Sequence, residues 1–343
     1  MTEVTATMGR APTLKEIAEV AGVHASTVSR ALRPTREGAL PTAEVERIRG
    51  IAADMGYRPN FIAAGLRTQR THTIGVVIPR LTDGVIATLC QAIEATATSA
   101  GYQILLATPP DEVDAQLQSI ELLLSRQVDG LIVTSLHLGR DEMATQVRSA
   151  GVPVLTVNRA GDDALPAVTA DDRAGGRLAT EHLIALGHRR IGIIAGPRHA
   201  STAWRRTLGY QDALRAAGIP IDDSLIVHTE FEVEGGIAGA THLLELPDPP
   251  TAIFAVNDTA AVGALGVARD RGIRIPSDLS LVGYNDIPLV GQLPVPLTTV
   301  RSPAAQIGEA AVAELLRGID GEEMSTVTLP VSLVERQSTG PAR

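Results

Sequence analysis

One short predicted helix presents side chains whose types and spacing suit contacts with nucleic acid. Three hydroxyls and one guanidinium fall on its outer face, those of Ser26, Thr27, Ser29 and Arg30. Short hydroxyls can bind phosphates and base edges, and an Arg can bond bidentately to guanine in the major groove. An ordinary solvated helix face has a similar composition, so these residues alone leave both interpretations open.

Two short helices joined by a tight turn are predicted to hold this face in place. Thr13 and Glu16 have the spacing of a capping box, and Gly22 suits the left-handed conformation that ends a helix. Apolar residues recur at helical spacing in both segments, which predicts a shared core. A third helix is predicted between Pro41 and Gly56. Three such helices bury only a small core.

The stretch from Thr13 to Arg30 resembles the DNA-binding headpiece of the lactose-repressor (LacI/GalR) family, T-x-x-D/E-V/I-A-x-x-A-G-V-S-x-x-T-V-S-R. One departure is His24, which stands where the family usually has the Ser that caps the second helix. We therefore expect this cap to be weaker or to pass to Ser26. The contacts that the resemblance implies are with base edges for Ala25, Ser26 and Arg30 and with phosphates for Thr27 and Ser29.

The segment Y-R-P-N-F-I-A-A-G-L-R-T, from Tyr57 to Thr68, has two interpretations. Isolated helices shorter than about 12 residues are marginal, and Gly65 weakens this one further, which indicates a plain linker. The string also resembles the hinge helix of the LacI/GalR family. That resemblance implies DNA contacts for Asn60, Ala63 and Leu66, with Leu66 wedged into the minor groove. The position between a DNA head and a ligand-sized domain favours the hinge.

From Thr71 onward, short apolar strands alternate with helical segments. Runs without polar alternation, such as Ile74–Pro79 and Ala252–Val256, are typical of parallel strands covered on both faces. Two series of them predict two doubly wound parallel sheets. The expected fold is therefore a small all-α helix-turn-helix headpiece plus an α/β two-lobed clamshell like the periplasmic binding proteins. The last run, Ser325–Ser338, alternates and is predicted as one closing strand.

The predicted boundaries give four segments, and the last segment has two lobes. They are a disordered N-terminal extension at 1–12, the helix-turn-helix domain at 13–58, a hinge helix or linker at 59–70, and an effector-binding and dimerisation domain at 71–343, with lobe 1 at about 71–158 and 290–322 and lobe 2 at about 159–289 and 323–340. Ligands of doubly wound sheets bind beyond the carboxyl ends of the strands. The loops after the strands are therefore where a binding site is expected.

Those loops carry polar and aromatic residues that match the LacI/GalR pattern. V-N-D-T-A-A-V-G-A-L at 256–265 matches A-N-D-x-x-A-x-G-A-L, and V-G-Y-N-D at 282–286 matches V-G-F/Y-D-D with one Asp replaced by Asn. Arg206 falls on the effector-clamping Arg of the family, and the aromatic Phe231 on one that lines the same pocket. The effector-binding candidates are Arg206, Asn257, Asn285, Trp204, Phe231, Asp83, Asp258 and Arg159.

Two of these candidates, Trp204 and Asp258, also have a simple structural explanation, and a third, Asp83, rests on a weak match. Trp204 stands where many relatives have a second Arg; it can stack on a sugar or a base, or belong to the core or its rim. Asp258 at a helix start is often only a cap. Asp83 lies in a loop that matches the family motif N-P-F-F/Y poorly.

Charge is divided unevenly along the 343 residues. Residues 1–70 carry 10 Lys+Arg and 7 Asp+Glu, a net charge of +3, whereas the remainder carries 20 and 32, a net charge of −12. The total of −9 alone would argue against a nucleic-acid partner. A basic head on an acidic body instead indicates that only the head contacts phosphates.

Other functional classes lack their expected motifs. There is no G-x-G-x-x-G after the first strand, no C-x-x-C and no H-E-x-x-H, which disfavours a Rossmann-type dehydrogenase. The eight His are scattered without metal spacing, and His188, His199 and His228 are interpreted as structural or solvated. No cofactor and no metal are therefore predicted. The single Cys90 and an N-terminus unlike a signal peptide indicate a cytoplasmic protein, not a transporter's solute-binding protein.

These observations together predict a ligand-responsive, sequence-specific transcription regulator of the repressor type. Its partners are expected to be double-stranded DNA with a palindromic operator, a small-molecule effector and a second copy of the chain, with no membrane contact. A tetramerising leucine-heptad tail is not expected after Arg343. The residues around the predicted pocket suggest a sugar, and a nucleoside remains open.

Overall fold

The computed structural model describes residues 12–32, 40–57, 70–139, 141–161 and 165–343, with backbone alone at 141–144. Its contacts divide the chain into a unit that ends at His72 and a second unit, Thr73–Arg343. The predicted hinge, with Asn60, Ala63 and Leu66, and nearly all of the predicted N-terminal extension lie outside the described residues. What the sequence predicts for them stays a prediction.

The described residues of the first unit form three helices: α1 at Leu14–Ala21, α2 at Ala25–Ala31 and α3 at Thr42–Asp54. The capping box is confirmed, because the Thr13 amide donates to Glu16 Oε2 at 2.6 Å and the Glu16 amide donates to Thr13 Oγ1 at 3.3 Å. Gly22 has a φ of +65° and ends α1 as predicted. The buried core of the unit consists of Ile17, Ala18, Ala21, Val28, Ala31, Ile48 and Ala52.

Polar contacts hold the three helix ends together. Arg47 Nη1 donates to the Ala21 carbonyl at 2.9 Å, and Arg49 Nε donates to the Ala31 carbonyl at 3.0 Å, so α3 supplies partners for the last turns of α1 and α2. The expected transfer of the α2 cap to Ser26 is wrong. His24 itself caps the helix, because its Nδ1 accepts from the Ser26 amide at 3.3 Å.

The second unit contains two sheets, and the part of it built on the first is called lobe 1. Its sheet has the order β11-β5-β4-β3-β1-β2 with every pairing parallel. Apolar cores cover both faces, as strands without polar alternation require. Its elements are β1 (Thr73–Val77), α4 (Gly84–Ser99), β2 (Gln103–Ala107), α5 (Val113–Ser125), β3 (Gly130–Val133), α6 (Asp141–Arg148), β4 (Val154–Val157), β5 (Ala167–Ala170), α11 (Ala304–Ile319) and β11 (Val327–Leu329).

Lobe 2 is built on the second sheet, with the order β12-β10-β9-β8-β6-β7. Only β12, which pairs with β10, is antiparallel. Two apolar cores again cover its faces. Its elements are α7 (Asp172–Ala185), β6 (Ile191–Ile194), α8 (Ser201–Ala216), β7 (Ile226–Val227), α9 (Val233–Leu244), β8 (Ala252–Ala255), α10 (Asp258–Asp270), β9 (Ser280–Asn285), β10 (Thr298–Arg301) and β12 (Ser332–Val334).

The chain crosses between the lobes at three places, and the predicted lobe boundaries are wrong there. Lobe 1 comprises about 73–170 and 304–329, not 71–158 and 290–322, and lobe 2 comprises about 172–301 and 332–343, not 159–289 and 323–340. The predicted closing strand at 325–338 is two strands, because β11 pairs with β5 of lobe 1 whereas β12 pairs with β10 of lobe 2. Local alternation does not reveal such a change of partner.

Glycines allow the helices of lobe 2 to pack in close pairs. A Cβ on Gly209 of α8 would lie 2.0 Å from the Arg173 carbonyl oxygen of α7, and one on Gly176 of α7 would lie 2.1 Å from the Arg206 carbonyl oxygen. The second pair is built in the same way, since a Cβ on Gly263 of α10 would lie 2.2 Å from the Val233 carbonyl oxygen of α9. These contacts set the position of α8 and hence of the side chains it carries.

Gly209→Ala should force α7 and α8 apart, because backbone on the facing helix occupies the space that a Cβ needs. We expect the free energy of unfolding in urea to fall by about 1–3 kcal/mol, as for overpacked interiors. Gly266→Ala in α10 is the matched control, since nothing lies within 4 Å of its Cβ position. That change should stabilise by about 0.5–1 kcal/mol through helix propensity. Equal effects of the two substitutions would contradict the close packing.

Candidate functional site

Loops at the carboxyl ends of the strands of both lobes line one cleft, as expected for doubly wound sheets. The space between them is about 490 Å³, part of it open to solvent. Lobe 1 contributes Pro79, Arg80, Asp83, Val85, Ile86, Thr134, Asn158 and Arg159, and lobe 2 contributes Thr202, Arg206, Phe231, Asn257 and Asn285.

Arg206 lies on the lobe 2 side of the cleft and is 4% exposed. Its Nε and Nη2 each lie 2.8 Å from Asp172 Oδ1, and its Nη1 donates to the Val256 carbonyl at 2.6 Å. Burial lowers the pKa of the Arg206 guanidinium, but the Asp172 carboxylate outweighs that effect, and the net shift is upward. Arg206 is therefore a fixed cation whose remaining N–H donors are available to a ligand.

The ring of Tyr284 supports the guanidinium from one side. The central carbon of that guanidinium lies 3.7 Å from the ring centroid, a stacked cation–π contact. Burial raises the pKa of Tyr284 well above its usual value, so the phenol stays neutral. A Cβ at Gly175 would lie 2.3 Å from the Tyr284 hydroxyl, so only glycine leaves room for this ring. Packing and charge together fix the orientation of Arg206.

Asn257 uses its amide mainly to position other groups. Its Oδ1 accepts from the Ala260 amide at 3.0 Å and caps α10, while its Nδ2 donates to the Phe231 carbonyl at 2.8 Å. Phe231 thereby presents its ring to the cleft although it lies in a loop. Both residues line the cleft, and their contacts with an effector stay predictions.

Two asparagines at strand ends adopt the left-handed region of backbone conformation. Asn285 has a φ of +112° and Asn158 a φ of +66°. Asn tolerates such φ values better than most residues, and they concentrate at functional sites. Asn285 lies in the cleft as the sequence indicated. Asn158 was missed, although its position directly after the apolar strand β4 is the signal that could have identified it.

Lobe 1 contributes charged groups to its side of the cleft. Asp83 caps α4 by accepting from the Val85 amide at 3.0 Å. Arg159 is 6% exposed and donates to Asp111 Oδ2 at 2.7 Å. Arg80, which had no predicted role, forms an ion pair with Glu232 of lobe 2. The cleft is thus lined by charges of both signs from lobe 1 and by the guanidinium of Arg206 from lobe 2.

Trp204 does not line this cleft, so the prediction for it is wrong. It lies on α8 two residues before Arg206, and residues two apart on a helix differ by about 200° in direction. Its side chain therefore points away from the cleft, is 50% exposed, and lines a separate surface depression with Pro197, Leu208 and His228.

Asp258 is also excluded from the cleft lining and has a structural role. It is 1% exposed; Thr299 Oγ1 donates to its Oδ1 at 2.6 Å, and the Ile287 amide donates to its Oδ2 at 2.9 Å. It ties the start of α10 to β10 and to the loop after β9. Burial raises its pKa to about 7, against the opposing effect of the hydrogen bond from Thr299.

Four candidate DNA-binding residues, Ser26, Thr27, Ser29 and Arg30, lie on the outer face of α2, whereas Ala25 packs partly against the core of the unit. Ser26 and Arg30 are exposed, whereas Val28 and Ala31 of the same helix are buried in the core. Ala25, Thr27 and Ser29 are partly exposed. Arg30 Nη2 lies 3.5 Å from Thr27 Oγ1 and has no carboxylate partner among the hydrogen bonds and ion pairs of the described residues. The face is available for a polyanion, and the individual base and phosphate contacts stay predictions.

The raised pKa of Asp258 predicts a distinct pH dependence of stability. Its folded-state value of about 7 exceeds that of an unfolded carboxyl, about 4. The folded protein therefore binds this proton more tightly, and the stability it contributes is lost as pH rises from about 4 to about 7. Asp258→Asn should remove this pH-dependent contribution, which changes by about 3 kcal/mol between pH 5 and 8. Urea denaturation of both proteins at these pH values measures the difference. If their free energies of unfolding change with pH in parallel, the pKa of Asp258 is not raised.

Comparisons with known proteins agree with this geometry. The family model described as bacterial regulatory proteins, lacI family, matches residues 13–60, and the model of periplasmic binding proteins and the sugar-binding domain of the LacI family matches residues 71–337. The ribose operon repressor of Haemophilus influenzae is 35% identical over 331 residues, covering 95% of this chain and 98% of its own.

Solved structures give the same result. A crystal structure of the Lac repressor dimer bound to operator and the anti-inducer ONPF has a TM-score of 0.85 and 29% identity, covering 96% of this chain and all of that one. A complex of the transcriptional regulator CelR with cellobiose has a TM-score of 0.73 and 31% identity, covering 95% and 99%. No helix among the described residues is long and apolar enough to cross a membrane. The chain belongs to the LacI family of bacterial regulatory proteins.

Proposed function

We propose that this protein is a cytoplasmic, dimeric transcription repressor whose operator binding is controlled by a sugar bound between lobes 1 and 2. The observation that carries the proposal is the buried guanidinium of Arg206 at the wall of the cleft. It is held by three polar contacts and one aromatic ring before any ligand arrives. A guanidinium held in one orientation presents N–H donors that suit neighbouring hydroxyls of one ligand.

The chemistry of the lining favours a polyhydroxylated ligand. Amides of Asn158 and Asn285 can donate and accept, the carboxylate of Asp83 can accept, and Phe231 offers an apolar surface to one face of a ring. The names of the relatives support a sugar, since one is a ribose operon repressor and another structure contains cellobiose. A nucleoside, which contains a ribose, is the other candidate.

Ligand control follows from the origin of the lining residues. Because both lobes contribute to the cleft, a ligand that contacts both stabilises one relation between them. The three crossovers between lobes are the segments that would adjust. We infer that this change alters the paired hinge segments, with Leu66 as the predicted minor-groove wedge, and so shifts operator affinity.

Dimerisation is supported by an apolar sheet edge in lobe 1. Strand β2 lies at the edge of its sheet, and Leu105 and Leu106 on it are 38% and 37% exposed. Leu122 on the neighbouring α5 is 56% exposed. A second copy that covers this surface would bring two headpieces to the two halves of a palindromic operator.

Arg30→Gln should weaken binding to the preferred inverted repeat, which selection from random duplexes by the full-length protein would identify. Loss of a bidentate base contact costs about 1–3 kcal/mol, so about 5- to 150-fold in affinity for each half-site. Lys15→Gln is the matched control, because it removes one positive charge from an exposed position of α1. The control should weaken binding to the specific duplex and to the scrambled duplex by the same factor. If Arg30→Gln leaves the ratio of the affinities for the two duplexes unchanged, Arg30 does not take part in base recognition.

Arg206→Lys should abolish the response to the effector without unfolding the protein. Lysine keeps a positive charge beside Asp172 but cannot reproduce the planar fork, whereas Ala would leave a buried carboxylate unpaired at a cost of about 3–5 kcal/mol. A thermal-shift screen of sugars and nucleosides identifies the ligand, and calorimetry should show at least about 10-fold weaker binding. Trp204→Leu is the control, since Trp204 faces away from the cleft. If this variant loses effector binding, the effector binds outside the cleft.

A further inference from the structure

A cluster of two imidazoles and one carboxylate lies where the two lobes meet. Asp111 follows β2 and His137 follows β3 in lobe 1, whereas His199 lies between β6 and α8 in lobe 2. One nitrogen of each His and one carboxylate oxygen all lie within 4.8 Å of one another. The side chains are 18%, 10% and 34% exposed. None of these three residues lines the cleft.

The geometry of the cluster is close to that of a metal site. His137 Nε2 lies 2.9 Å from Asp111 Oδ1, and His199 Nε2 lies 3.5 Å from Asp111 Oδ2. Ligands of a tetrahedral Zn²⁺ lie about 2.0–2.2 Å from the ion and hence about 3.3 Å from one another. The two imidazole rings stack with centroids 4.2 Å apart. One nitrogen of each His and one carboxylate oxygen, which lie within 4.8 Å of one another, would have to approach to about 3.3 Å to hold an ion among them.

One potential metal-ligand atom of the cluster lacks a good hydrogen bond in the structure. The Nε2 of His199 is buried, and its contact with Asp111 Oδ2, at 3.5 Å, is longer than a usual hydrogen bond. Buried polar atoms without a partner are uncommon and indicate an ion, a water or a functional role. Arg159 Nη1 donates to Asp111 Oδ2 at 2.7 Å and is the group with which an ion would compete, whereas Gln116 Nε2 donates to Oδ1 at 3.0 Å and orients the carboxylate. Oriented carboxylates of this kind are usual in metal sites.

We propose that Asp111, His137 and His199 together bind one divalent transition-metal ion, with Zn²⁺ the best match, and that this ion fastens the two lobes to each other. Two imidazoles and a carboxylate are a ligand set for Zn²⁺ and its neighbours in the first transition row, whereas Mg²⁺ prefers oxygen ligands alone. The fourth position stays open to water.

The backbone beside the ligands explains why the ion acts on the lobes. The Leu138 amide of lobe 1 donates to the His199 carbonyl of lobe 2 at 2.9 Å, and His137 pairs with Ala200 as an isolated antiparallel bridge. The ligand set therefore exists only while the lobes have this relation. An ion that binds this arrangement and no other stabilises it by mass action.

Arg159 connects the ion site to the effector cleft. Its guanidinium binds Asp111, lines the cleft, and has its central carbon 5.2 Å from the centroid of the Phe231 ring. A dication on Asp111 repels this guanidinium and competes with it for the carboxylate. Arg159 then becomes more available to a ligand. This last consequence rests on the proposed function, whereas ion binding itself does not.

The test uses full-length protein stripped with EDTA and titrated with ZnCl₂ and, for its visible absorption, CoCl₂. We expect one equivalent of Zn²⁺ per chain, no competition from Mg²⁺, and binding at least about 10-fold weaker in His199→Gln. His242→Gln is the matched control, because His242 is exposed on α9 and outside the cluster. Zn²⁺ should also slow hydrogen exchange of the Leu138 amide in the parent and the control, but not in His199→Gln.

A rescue variant separates loss of a ligand from loss of the fold. His199→Cys offers a thiolate in place of the imidazole, so Co²⁺ should bind it with a new thiolate-to-metal absorption band. Equal Zn²⁺ affinity of the parent and His199→Gln overturns the proposal, as does a parent that binds no Zn²⁺ or a Cys variant without the band. Each of these outcomes leaves operator and effector binding untouched, so failure here is distinguishable from failure of the proposed function.

Discussion

The lobe 2 side of the cleft depends on one buried ion pair, Arg206 with Asp172. Removing two charges from water is costly, and the pair repays that cost only with good geometry and further bonds. The Val256 carbonyl and the Tyr284 ring supply them. Close helix packing at Gly176 brings α8 near enough to α7 for the pair to form. The orientation of the cleft donors is therefore a property of the folded lobe and needs no ligand to create it.

Features encoded by neighbouring residues were predictable from the sequence. The capping box at Thr13, the end of α1 at Gly22 and the apolar runs of the parallel strands all depend on short-range pattern, and the structure contains them. Lobe membership was not predictable in this way. Whether β10 joins lobe 1 or lobe 2 depends on which distant strand it pairs with, and in the structure that strand is β9 of lobe 2. The same holds for the two short strands β11 and β12.

Cleft residues were predictable to the extent that strand ends determine them. Asn257, Asn285 and Arg206 lie in the cleft because strand ends and the start of α8 converge there. Trp204 and Asp258 failed for a different reason, since the direction of a side chain around a helix decides whether a residue near a cleft faces it. In Trp204 the helical turn points the ring outward; in Asp258 the carboxylate turns back to bond Thr299. The position of a residue in the sequence does not by itself give the direction of its side chain.

The histidine cluster shows a limit of spacing-based reasoning about metal sites. Familiar metal motifs place ligands a few residues apart on one element, whereas Asp111, His137 and His199 come from three loops and from both lobes. Such a set cannot preform in the unfolded chain, and it also disappears if the lobes separate. A site that exists in only one arrangement of the lobes responds to the same equilibrium as the effector cleft. Any ion that binds it must therefore be thermodynamically linked to the effector, whichever sign that linkage takes.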